Sequence, residues 1–103
     1  MKVLKFGGTS VGSVESIRHI QHIISQQTDD CIVVVSALGG ITDQLLKAAH
    51  TALQIDETYM EIYQAIRQRH LDMVNMLIEN PTIRQMLLHE LECILDELRS
   101  ILF

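Results

Sequence analysis

Lys5-Phe6-Gly7-Gly8-Thr9-Ser10-Val11-Gly12 decides how the rest of this chain is read. Before it, Lys2 to Phe6 has the apolar content of a short strand in Val3, Leu4 and Phe6. After it, Ser13 is placed to cap a helix running to about Gln26. The apolar face of that helix is Val14, Ile17, Ile20, Ile23 and Ile24. A glycine loop that leaves a strand and enters a helix suits phosphate. Bare backbone lets N–H groups approach the oxygens, and the helix N-terminus adds aligned dipoles. Lys5, at the strand's end, can set an ammonium against a transferring phosphoryl group. The loop lacks the Gly-Lys-Ser/Thr of a Walker motif and the G-x-G-x-x-G of a dinucleotide fingerprint. A tight turn beside an exposed lysine is the plainer alternative.

A second unit of the same kind follows. Thr28-Asp29-Asp30 is a turn, and Ile32 to Val35 is β-branched without alternation, as a strand buried on both faces should be. Ser36-Ala37-Leu38-Gly39-Gly40-Ile41-Thr42 then forms another glycine loop. Thr42 or a near neighbour is expected to cap a helix reaching about Leu53. Strand, helix, strand, helix with short connections predicts two parallel strands. Both loops should therefore lie beyond the same sheet edge, where ligands of open α/β sheets bind. Ser36 and Thr42 offer hydroxyls and N–H groups to a small anionic substrate. For Thr42, simple capping is an equal alternative.

All five glycines fall before residue 41, and the later half is helical in pattern. Asp56 is placed to cap a helix to about Ile78, with Tyr59, Ile62, Tyr63, Ile66, Met73, Val74 and Leu77 on its apolar face. Asn80-Pro81 stops that helix and starts another, from about Thr82 to the end. Leu87, Leu91, Ile94, Leu98 and Ile101 form one stripe there, which Leu88, Leu95 and Leu102 widen. The fold class is α/β: a βαβα part of a parallel sheet followed by two long helices. It is taken as one partial domain, residues 1–103, divided into a glycine-loop half (1–55) and a helical hairpin half (56–103).

The formal charge is -5, from 13 acidic and 8 basic residues, with no basic run. This argues against nucleic-acid binding. The apolar run Cys31 to Val35 is too short to span a bilayer, and no secretory leader opens the sequence. A soluble cytoplasmic protein with Cys31 and Cys93 reduced is expected. His19 and His22 read as a solvated face, and His70 as a hydrogen-bonded structural histidine. Met73, Met76 and Met86 read as core filler. Glu90, Glu92, Asp96 and Glu97 read as the solvated border of the last stripe, and no metal site is expected.

Lys5 to Val11, KFGGTSV, resembles the signature that opens aspartokinases of the amino-acid kinase family. Val33 to Ala37 with Gly40-Ile41-Thr42 resembles the second motif of that family. The resemblance implies an amino-acid-kinase-like sheet and transfer of the ATP γ-phosphoryl group to the side-chain carboxylate of L-aspartate. That reaction opens the aspartate-family amino-acid pathway, and magnesium would accompany ATP. It implies that Lys5 acts in catalysis, that Lys5, Gly7, Gly8, Thr9 and Ser10 bind phosphate, and that Ser36 and Thr42 bind aspartate. A start almost at Met1 is similar to fused aspartokinase–homoserine dehydrogenases. The family's later carboxylate, arginine, nucleotide and regulatory segments fall outside the matched motifs. The resemblance thus implies that the 103 residues alone are inactive and hold no tightly bound cofactor. The rival reading is a non-catalytic helical interaction module whose glycine loops are turns. Open strand edges and the broad last stripe further predict a symmetric homodimer, through the last two helices, the sheet edge or exchanged helices.

Overall fold

The computed structural model describes residues 1–103, in the order β1 (Lys2–Phe6), α1 (Val14–Ser25), β2 (Cys31–Val35), α2 (Ile41–Leu53), α3 (Thr58–Leu77) and α4 (Pro81–Leu102). The chain is α/β, with a two-stranded parallel sheet and two long final helices. It forms two compact units, Met1–Thr42 and Asp43–Phe103. The division falls within the first turn of α2.

In the first unit β1 and β2 pair residue for residue, from Lys2 with Cys31 to Phe6 with Val35. The ladder continues past the strands, where the Ser36 N–H donates to the Phe6 carbonyl at 3.1 Å. Ser13 caps α1 as expected, its hydroxyl oxygen accepting from the Ser16 N–H at 3.1 Å. Ile20 is buried, and Val14, Ile17, Ile23 and Ile24 are half-buried. The expectation that β2 is buried on both faces is not met: Ile32, Val33, Val34 and Val35 are all exposed. Burial on both faces needs layers above and below a strand, and a two-stranded sheet in so short a unit has too few elements to provide them. Thr42 is also not a cap. The helix begins at Ile41, which places Thr42 inside its first turn.

In the second unit α3 and α4 pack as a hairpin. The buried Tyr63 hydroxyl donates to the Leu95 carbonyl at 3.2 Å. Arg67 holds Glu92 through two guanidinium nitrogens. Glu92 is therefore a cross-helix tie and not part of a solvated border. The α3 face is as expected, with Tyr63 and Ile66 buried. His70 is structural, its Nδ1 lying 2.7 Å from the Ile66 carbonyl one turn back. Asn80 caps α4, its side-chain oxygen accepting from Thr82 and Ile83 N–H groups, with Pro81 in the first turn. Of the α4 stripe, Leu95 is buried and Leu88, Leu91, Leu98 and Leu102 are half-buried, whereas Leu87, Ile94 and Ile101 are exposed. The row expected to widen the stripe is the one that packs. Met76 and Met86 are exposed as well and do not fill the core.

The turn from α2 to α3 carries backbone strain. The Asp56 N–H donates to the Thr51 carbonyl and the Ile55 N–H to the Ala52 carbonyl, the bond pair of a Schellman ending. That ending needs a left-handed residue, and Ile55 supplies it at φ 57. Asp56 then accepts from the Thr58 N–H at 3.0 Å and starts α3. A β-branched residue in this region costs about 1–2 kcal/mol, and Ile55, 90% exposed, recovers little by packing. Ile55→Gly should therefore raise the unfolding free energy by about 0.5–1 kcal/mol, after allowing for the extra freedom of glycine in the unfolded chain. Urea denaturation followed by circular dichroism checks this; a destabilised variant would show that the isoleucine contributes contacts.

Candidate functional site

Every residue expected at the site lies in the first unit, on or just beyond the strand ends. The one-to-one register brings the two glycine loops out at the same edge. They touch. A Cβ built on Gly39 would lie 3.0 Å from the Gly8 carbonyl oxygen and 3.6 Å from Gly12 Cα. A Cβ on Gly8 would lie 3.6 Å from Ser36 Oγ and 3.7 Å from Gly39 Cα. The loops are thus packed backbone against backbone. Gly40, at φ 83, turns the second of them into α2.

Within the first loop, the Ser10 and Val11 N–H groups both fold back onto the Gly7 carbonyl, at 3.1 and 3.3 Å. The Ser10 N–H is therefore engaged internally, and Val11 is buried beneath the loop. Gly7 differs from its neighbours. It has no left-handed φ, and nothing lies within 4 Å of where its Cβ would be. Neither backbone conformation nor packing within this chain asks for glycine there.

Lys5 follows Leu4 and precedes Phe6, so it shares a face of β1 with Val3, opposite the face of Leu4 and Phe6. Lys5 is exposed. Ser36 is also exposed, and its hydroxyl donates to the Ala37 carbonyl at 2.8 Å. It sits beside Gly8, so the expected phosphate and substrate loops meet there. Thr42, in the first turn of α2, is exposed.

On the Phe6 face the structure adds a feature that the sequence did not suggest. An open depression of about 600 Å³ is lined by Phe6, Thr9, Ser10, Glu15, Ser16, His19, Ile20 and Ile23. His19 is exposed, as expected of a solvated face, and also borders this depression. Glu15 and His19 are four apart on α1, a spacing that places them together. That spacing was the available signal, but the depression itself depends on Phe6 and the loop.

Residues 1–102 match the sequence profile of the amino acid kinase family, and the chain belongs to that family. It is similar to the aspartokinase of Geobacillus stearothermophilus, with 48% identity over 50 residues. That match covers 46% of this chain and 12% of the relative. Arabidopsis thaliana aspartokinase 2, chloroplastic, is 34% identical over 96 residues, covering 86% of this chain and 18% of the relative. The bifunctional aspartokinase/homoserine dehydrogenase 2, chloroplastic, of Arabidopsis thaliana is 31% identical over 88 residues, covering 84% and 10%. The chain thus spans under a fifth of the length of these relatives. No helix is long and apolar enough to cross a membrane.

The glycines separate by role in a way that substitution reads directly. Gly39→Ala forces a methyl against the Gly8 carbonyl and should destabilise the chain by about 1–3 kcal/mol. Gly7→Ala meets nothing and should change stability by less than about 0.5 kcal/mol. Paired denaturation curves test the contrast; equal losses at both positions would show that the loops do not pack as described.

Proposed function

We propose that this chain supplies the phosphate and substrate loops of an aspartate kinase, acting as a homodimer in a reducing, cytoplasm-like compartment. The observation that carries the reading is the contact of two glycine loops at the carboxyl ends of paired parallel strands. That geometry suits a reaction in which a carboxylate oxygen of L-aspartate attacks the γ-phosphorus of ATP. The new O–P bond forms as the bond to ADP breaks, giving 4-phospho-L-aspartate. Both reactants are anionic, so the protein's task is to bring them together and offset charge. Lys5 is the cation for the transferring group. Gly7, Gly8 and Thr9 offer backbone to the phosphate, with Ser10 contributing its hydroxyl. Ser36 and Thr42 face the aspartate. Magnesium bound with ATP would neutralise phosphate charge. Open space at Gly7 supports the reading, because a site bare for no internal reason suits a close-approaching ligand. Both cysteines are free, in keeping with the proposed compartment.

The 103 residues alone should show no aspartate-dependent ATP turnover. Replacing the corresponding segment of the Geobacillus stearothermophilus aspartokinase with this chain should retain turnover. In that chimaera Lys5→Ala should lower kcat about a hundredfold or more, as for other preorganised charges. Gly7→Ala should lower it too, without loss of stability. Thr42→Val should instead raise the aspartate KM. A folded chimaera whose kcat is indifferent to Lys5→Ala would remove these loops from the chemistry and favour the interaction-module reading.

A further inference from the structure

The orientation of one peptide in the first glycine loop is set by the second loop. The Gly8 carbonyl oxygen lies 3.0 Å from where a Gly39 Cβ would stand, and its carbon 3.7 Å, so the C=O bond points at Gly39. The same oxygen lies 3.4 Å from the Cβ position of Gly12. No peptide bond of the chain is cis, and a planar trans peptide sets its N–H opposite its C=O. The Thr9 N–H therefore points away from Gly39. The peptide before it is fixed in the same sense. The Gly7 carbonyl accepts from the Ser10 and Val11 N–H groups, which turns the Gly8 N–H out of the loop. Neither the Gly8 nor the Thr9 N–H donates to a backbone carbonyl. Two successive N–H groups turned outward form an anion-binding concavity.

The arrangement needs a lock. Glycine accepts many backbone conformations, so the Gly8–Thr9 peptide is free to rotate on its Gly8 side. A half-turn would exchange the outward N–H for a carbonyl oxygen, which repels an anion. The bare Cα of Gly39 provides the slot that receives this oxygen on the inner side. Gly39 belongs to the loop of Ser36 and Thr42, so the loop assigned to the carboxylate substrate sets a donor of the loop assigned to phosphate.

We infer that Gly39 is a positioning residue for the phosphate loop, acting through the Gly8 carbonyl to hold the Thr9 N–H toward the phosphate. The inference rests on the kinase reading proposed above. Its test uses the chimaeric kinase, in which Cys31 allows residues 1–30 to be made synthetically and joined to the remainder. An ester in place of the Gly8–Thr9 amide removes the N–H and keeps the carbonyl. It should lower kcat by about tenfold or more, as for other preorganised donors, with kcat taken per folded enzyme by circular dichroism. Gly39→Val, which presses on the carbonyl, should lower kcat by a similar factor. Combined with the ester it should cost less than about threefold more, because residues acting through one group are not additive. A Gly39 that served folding alone would leave kcat per folded enzyme unchanged. Should the valine chain fail to fold, Gly39→Ala, the milder intrusion, takes its place in the same cycle. An ester enzyme with wild-type kcat, or two losses that multiply, would overturn the inference. Lys5→Ala separates the two levels. If it costs about a hundredfold while the two backbone changes multiply, the kinase reading stands and only the role of Gly39 falls. If it costs nothing, both fall.

Discussion

The parallel, unshifted pairing of β1 with β2 is the constraint from which the candidate site follows. A slip of one residue would turn Lys5 to the other face and move one loop along the sheet by a full residue rise. In the observed register Phe6 and Val35 end together, and the Ser36 N–H on the Phe6 carbonyl carries the ladder into the loop. Only then do Gly8 and Gly39 meet. The close contact is consequence and lock at once. A side chain at Gly39 would press on the Gly8 carbonyl, and without the register the loops would have no reason to meet.

The helical unit is fixed by a different kind of selection. An α4 with apolar residues on three adjacent rows offers α3 a choice of faces. Hydrophobic burial alone hardly distinguishes them, since leucine and isoleucine are of nearly equal value when buried. The directional contacts distinguish them. Tyr63 must bury its ring and still place its hydroxyl on a carbonyl, which it does at Leu95. Arg67 reaches Glu92 on the same side. At the far end Phe103 meets Tyr59 edge to face, with ring centroids 4.9 Å apart, and Arg99 lies over the Phe103 ring. These contacts turn Leu88, Leu95 and Leu102 inward and leave Ile94 and Ile101 outside.

What could be read from the sequence was what local chemistry decides. Strand β1, the Ser13 cap and the Asn80-Pro81 break follow from residues near in sequence, since caps and proline act over a few residues. The meeting of the two loops follows from a topological rule, because a strand–helix–strand crossover makes the strands parallel and brings both loops to one edge. Burial follows from neither. The β-branched run Ile32 to Val35 was read as covered on both faces, but composition records only suitability for burial; coverage needs neighbours. The same limit applied to α4, where the row that packs was set by Tyr63, 32 residues away. The start of α2 was missed for a local reason. With Gly40 at φ 83 the helix can begin at Ile41, and a glycine's φ sign leaves no trace in the residues around it.

The glycines show how structural and functional demands can be told apart at a single residue type. Gly40 is explained by its dihedral, and Gly39 by the carbonyl that faces it. Ile55 shows that this chain tolerates a left-handed β-branched residue where nothing else is at stake. Glycine is thus not its automatic answer even to a difficult φ. Against that background Gly7 stands out, with ordinary backbone and empty space about it. An alanine there would fold equally well and would lose less entropy on folding. Packing and φ therefore account for Gly39 and Gly40 but not for Gly7, which makes Gly7 the position where the proposed phosphate contact is most directly tested.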